Sequence, residues 1–122
     1  MSTRPIPPSA RTCDRVWELL RRSPRGSSAE ELQEGYEVRW GKTSNRMVRR
    51  AIESLIVDHG RLVGTSPDRG YYLIESRVDL DRTRADLHSR MAALKRRDDC
   101  LKESYEEKFG KEQQGDLLTK EN

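Results

Sequence analysis

Ser44-Asn45-Arg46-Met47-Val48-Arg49-Arg50-Ala51-Ile52-Glu53-Ser54-Leu55-Ile56 is the stretch on which the fold turns. Ser44 is a natural N-cap, and Val48, Ala51, Ile52, Leu55 and Ile56 recur at helical spacing as one apolar stripe that stops at Gly60. Two short β-rich runs follow, Leu62–Thr65 and Tyr71–Ile74. Between them lies Ser66-Pro67-Asp68-Arg69-Gly70, whose Pro, Asp and Gly are turn residues, so the pair is expected to close as a hairpin.

Upstream of this stretch, Thr12 is expected to cap a helix in which Cys13, Val16, Trp17 and Leu20 share one face, ended by Ser23-Pro24-Arg25-Gly26. Ser28-Ala29-Glu30-Glu31 has the form of a capping box. It predicts a short second helix from about Ala29 to Gln33, closed by Gly35. Gly35 to Thr43 then reads as an irregular link of nine residues anchored by Trp40, longer than a tight helix-turn-helix requires. Residues 1–11 contain Pro5, Pro7 and Pro8 and are expected to be a flexible arm. Downstream, Ser76-Arg77-Val78-Asp79 is a second capping box. The helix it opens is expected to cover 77–109, on the order of 50 Å at about 1.5 Å per residue, before a disordered tail at 110–122.

The order helix, helix, helix, hairpin, long helix is mainly α with a small β-hairpin. With the residues of 28–32, 44–52, 60–63 and 70–73 on the page, the segment 12–76 resembles winged helix-turn-helix DNA-binding domains of the biotin-repressor-like kind. It is similar also to small phage- or prophage-encoded proteins that carry this module. The resemblance implies a winged helix at 12–76 followed by a long C-terminal helix, with double-stranded DNA as partner. The expected roles are a small transcriptional regulator or a phage-type replication or packaging accessory.

The residues themselves point the same way. If the apolar stripe of the third helix faces the core, Arg46, Arg49, Arg50 and Glu53 lie on the opposite face, with Asn45 near its start. A helix N-terminus favours phosphate, and Arg and Asn make bidentate contacts to purine edges. Ser44, Asn45, Arg46, Arg49 and Arg50 are therefore the expected DNA contacts, with Arg69 added as a wing-tip residue within reach of the backbone or minor groove. The bland reading of the same arginines is a solvated helix face.

Charge is patterned rather than uniform. The net charge is +3 and 37% of the 122 residues are charged, against 33% hydrophobic. Residues 1–26 carry +4, 27–43 carry −2, and 44–58 carry +1. Such a balance is compatible with a polyanionic partner without demanding one. The long helix has its own pattern. Leu80, Leu87, Leu94 and Leu101 recur every seven residues, and Arg84, Met91, Asp98 and Tyr105 take the other seam positions. Leu80, Leu87, Met91, Leu94, Leu101 and Tyr105 are the expected oligomerisation residues, serving a homo-oligomer or a larger protein assembly. Basic edges disfavour a simple two-stranded self-pairing: in a parallel pair Arg90 would meet Lys95 and Arg97 would meet Lys102, and an antiparallel pair, which matches like edge with like edge, is no better in the middle. The outcomes left are packing on the chain's own winged helix, dimerisation in another geometry, or docking with an acidic helix of another protein.

Other chemistries find little purchase. Gly41-Lys42-Thr43-Ser44 mimics the end of a phosphate-binding loop, but Gly35 and Gly41 enclose five residues rather than four and no apolar strand precedes them. His59 and His88 are isolated, and no serine sits in a nucleophile elbow. No enzyme, cofactor or metal is expected. Cys13 and Cys100 make no disulfide framework, and no run approaches the length of a membrane span or signal peptide, so a cytoplasmic protein with reduced thiols is expected. The competing class is an interaction adaptor, a winged helix and docking helix that bind protein and no DNA.

Overall fold

A computed structural model describes residues 8–110; the arm expected at 1–11 lies outside them as far as residue 7, and the tail expected at 110–122 from residue 111 onward. The elements are α1 (Ala10–Arg22), α2 (Ala29–Trp40), α3 (Asn45–Val57), β1 (Val63–Ser66), β2 (Gly70–Leu73) and α4 (Arg77–Phe109). This is the expected order, mainly α with one antiparallel hairpin and a long C-terminal helix. No helix among the described residues is long and apolar enough to cross a membrane.

α1 begins earlier than its sequence suggests. Ser9, not Thr12, is the N-cap: its hydroxyl accepts from the Thr12 N–H at 3.1 Å, and Ala10 and Arg11 are already helical. The last proline of the arm is Pro8, so nothing after it opposes helix. Cys13, Val16, Leu19 and Leu20 are buried, while Trp17 is only half-buried, with the Arg61 guanidinium 4.7 Å from its ring.

α2 departs most from expectation. The capping box at Ser28 and Glu31 is present, but the helix runs twelve residues to Trp40 instead of ending near Gln33. Gly35 is inside it. A Cβ at that position would lie 3.3 Å from Leu19 Cδ2, so the missing side chain lets α1 and α2 approach closely rather than ending the helix. The C-cap is Gly41. Ala29, Leu32 and Tyr36 are its buried face, and the Arg15 guanidinium of α1 lies over the Tyr36 and Trp40 rings. The link to α3 is therefore Gly41–Ser44, four residues and not nine.

α3 packs Val48, Ala51, Ile52 and Leu55 into the core, as their spacing requires. Ile56, expected beside them, is 42% exposed, because it falls at the edge of the stripe. The hairpin pairs Val63 with Leu73, Gly64 with Tyr72, Thr65 with Tyr71 and Ser66 with Gly70. Ser27, just before α2, adds a bridge to Tyr71 through two backbone hydrogen bonds of 2.8 Å, giving β2 a neighbour on each side. The core is built from α1, α2, α3 and β1, with Tyr71 and Leu73 packed against it.

The chain divides between Thr83 and Arg84, within α4. The first two turns of α4 thus belong with the three helices and the hairpin. Buried there are two polar side chains, Asp79 and Thr83, one turn apart on the same face. The Tyr72 hydroxyl donates to the Asp79 carbonyl at 3.3 Å and, with its one proton so placed, accepts from the Thr83 hydroxyl at 2.7 Å.

Candidate nucleic-acid interface

The turn between α2 and α3 is held by α2 side chains. Glu37 Oε2 accepts from the Thr43 N–H at 3.2 Å, and Gln33 Nε2 donates to the Thr43 carbonyl at 3.3 Å. Ser44 then caps α3, its hydroxyl accepting from the Met47 N–H at 3.1 Å. With the entry fixed, the face of α3 opposite its buried stripe is determined by helical periodicity. Arg46 and Arg49 are exposed on it, and Asn45 and Arg50 are half-buried.

Two of these side chains are tied into a line across three elements. Asn45 Nδ2 donates to Glu30 Oε1 of α2 at 3.3 Å, and Asn45 Oδ1 accepts from Arg49 Nε at 2.6 Å. Arg49 Nη1 donates to the Tyr71 hydroxyl of β2 at 3.3 Å. The guanidinium is thereby pre-positioned, with less rotamer freedom to lose on meeting a phosphate or a base. Glu30 works in the other direction, placing a carboxylate beside the start of the face. Tyr71 was not among the expected contacts. Alternation in a strand sends Tyr71 and Tyr72 to opposite faces: Tyr71 shares the side of Leu73, packed against the core to which α3 belongs, while Tyr72 turns toward Asp79 and Thr83.

Arg69 is not gathered with these residues. The turn instead directs it back toward α4: its guanidinium lies 4.0 Å from the Tyr72 ring centroid and pairs with Asp79 Oδ1 at 3.5 Å, leaving the side chain 25% exposed. The attraction is physical and local, a cation over an aromatic face beside a carboxylate. Asp79 is pulled below the ordinary carboxylate range, first by the Glu75 N–H donating to Oδ2 at 3.1 Å and further by Arg69 and Arg25, against an opposing contribution from burial.

That depression has a sign. A carboxylate with a lowered folded-state pKa adds stability above its unfolded value and loses it as pH falls through the folded one. Wild type should therefore be more stable than Asp79→Asn at neutral pH, and the difference should close below about pH 4. Denaturant melts of the two proteins across that range check this. A gap that is constant with pH would mean that the charge of Asp79 contributes nothing.

No protein-family model, curated protein or solved structure matches the chain. What can be said of its function rests on its own residues.

Of the other expected site residues, Leu80 is half-buried in the first unit. Leu87, Met91, Leu94 and Leu101 are exposed in the second, and Tyr105 is half-buried with its ring 4.9 Å from that of Phe109. Among the described residues, no group of three or more His, Cys, Asp or Glu is arranged to hold a metal ion.

Proposed function

We propose that this chain binds double-stranded DNA as a winged helix-turn-helix, with α3 as the helix that enters the major groove and the hairpin as its wing. The observation that carries this is the four-residue connection Gly41–Ser44, ending at a capped helix whose outward face presents Asn45, Arg46, Arg49 and Arg50. A turn of that length between two helices is what a helix-turn-helix uses, and the arginines supply both phosphate and guanine-edge contacts. Arg49, braced by Asn45 and Tyr71, is the best placed of them for a directional contact. The roles such a module would serve are regulation of transcription or an accessory part in phage-type replication or packaging.

Titration of a duplex at several salt concentrations tests the proposal. Neutralising several phosphates makes log affinity fall linearly with log salt, by about 0.9 per phosphate contacted. No duplex affinity even at low salt would select the adaptor reading, which the Glu30 carboxylate at the start of the α3 face and the exposed apolar side chains of α4 favour.

The wing has its own expected result. Since Arg69 is engaged by Tyr72 and Asp79, Arg69→Ala should lower stability by on the order of 1 kcal/mol and leave the salt slope of duplex binding as in wild type. A slope reduced by about one unit would show that Arg69 leaves Asp79 for a phosphate in the complex.

A further inference from the structure

Arg49 sits in a closed circuit of hydrogen bonds. Ser27, just ahead of α2, pairs with Tyr71 of β2 through two backbone bonds of 2.8 Å. From Tyr71 the circuit runs through its hydroxyl to Arg49 Nη1, then from Arg49 Nε to Asn45, and from Asn45 to Glu30 in the first turn of α2. Tyr71 also faces Thr65 across the hairpin, so its backbone is gripped on both sides. A side chain braced from paired strands and helices holds a direction that a free surface arginine does not. Among the described residues, Arg46 and Arg50 have no comparable brace.

The donors decide what this guanidinium can meet. An arginine has five N–H groups and no acceptor. Asn45 takes the one on Nε, and Tyr71 takes one on Nη1. The fork that pairs Nε with a terminal nitrogen is thereby closed, and the N–H groups left over are all on Nη1 and Nη2, at the tip. The Tyr71 hydroxyl accepts from Arg49 and so keeps its own proton to donate. In the major groove only guanine sets two acceptors side by side, O6 and N7; adenine puts an amine beside N7, and cytosine offers an amine. A phosphate also takes donors. The Glu30 carboxylate, at the far side of Asn45, opposes a second negative charge there and leaves a neutral base edge unopposed.

We propose that Arg49 reads a guanine in the major groove and that Tyr71, on the strand of the wing, is the positioning residue that aims it. This rests on the duplex-binding reading of α3, and it adds the base recognised and a residue outside the helix that sets specificity. The hairpin then takes part in readout through β2, although Arg69 at its turn is directed toward α4.

Selection from a pool of random duplexes by the full wild-type chain finds the preferred site. Titration of that site, and of copies with single pairs replaced, gives a discrimination ratio for each pair. Arg49→Lys keeps the charge and loses the fork. It should lose its preference at one G·C pair, by about 5- to 150-fold, with the salt slope unchanged. Tyr71→Phe keeps the ring that packs against the core and removes only the hydroxyl. It should lower the ratio at that same pair severalfold, leaving the other pairs, the salt slope and the melting temperature close to wild type. A merely structural hydroxyl would weaken binding to all duplexes alike with the ratio unmoved, and that result overturns the proposal. So does full discrimination in Tyr71→Phe, and so does a preference lost in Arg49→Lys at a pair other than G·C. A wild type that binds every duplex equally, with a steep salt slope, overturns the guanine contact and leaves duplex binding standing. No duplex affinity at low salt overturns both.

Discussion

Replacing Arg46, Arg49 and Arg50 together with Ala is expected to remove duplex binding while the protein stays folded. Each arginine that reads a base edge or grips a phosphate is worth about 1–3 kcal/mol of binding. Three such contacts amount to a loss of at least about a hundredfold in affinity at moderate salt, with up to about three units gone from the salt slope if all three touch phosphate. The fold's stake in them is small, the solvent-exposed hydrogen bonds of Arg49 to Asn45 and Tyr71. Arg46 and Arg49 are exposed and Arg50 half-buried, all opposite the buried stripe of α3. Alanine is the better helix former, and exposed substitutions of this kind change stability by within about 0.5 kcal/mol. Titration of a labelled duplex beside a thermal melt gives both readings from one preparation. Binding by the triple variant equal to wild type would remove α3 as the recognition helix, whatever else the chain binds.

The residues of this face were legible because they depend on one helix only. Given Val48, Ala51, Ile52 and Leu55 as the inner side, periodicity alone places the arginines outside. α2 was not legible in that way. Its stripe Ala29, Leu32 and Tyr36 does extend past Gly35, but a glycine followed by isolated aromatics and charges has the local form of a helix end. Only the approach of Leu19 from another helix explains why the chain tolerates Gly35 mid-helix. The error had a consequence. It lengthened the connection to α3 from four residues to nine, the one feature that stood against a helix-turn-helix.

Arg69 and Asp79 illustrate a different limit. By local sequence, one is a turn residue and the other a capping residue, and both assignments have substance: the Asp79 N–H donates to Ser76 Oγ at 3.2 Å. Their ion pair, however, depends on where the hairpin lies against the first turn of α4, which no periodicity encodes. The same holds for Thr83, whose burial at 7% exposure follows from Tyr72 and not from its own helix.

Tyr72→Ala is expected to be the most destabilising single change among those proposed. Tyr72 is 1% exposed, and its ring crosses the β1 strand at Gly64, where even a Cβ would stand 2.6 Å from the ring. Its far end reaches the Thr83 hydroxyl and the Asp79 carbonyl, and its face carries the Arg69 guanidinium. Truncating a buried aromatic costs about 3–5 kcal/mol. A unit of this size shifts its melting temperature by roughly 5 °C per kcal/mol, so a fall of about 15–25 °C should follow, a large share of a stability that is typically about 5–15 kcal/mol. Tyr72→Phe separates packing from hydrogen bonding. It keeps the ring but leaves the buried Thr83 hydroxyl without its partner at 2.7 Å, a loss of about 1–2 kcal/mol. Because the hydroxyl ties the hairpin to the first two turns of α4, hydrogen exchange in Tyr72→Phe should rise at 77–83 while the amides of α3 stay protected. If Phe proved as costly as Ala, the hydroxyl and not the ring would hold this corner together. An Ala variant melting with wild type would deny Tyr72 any part in the core.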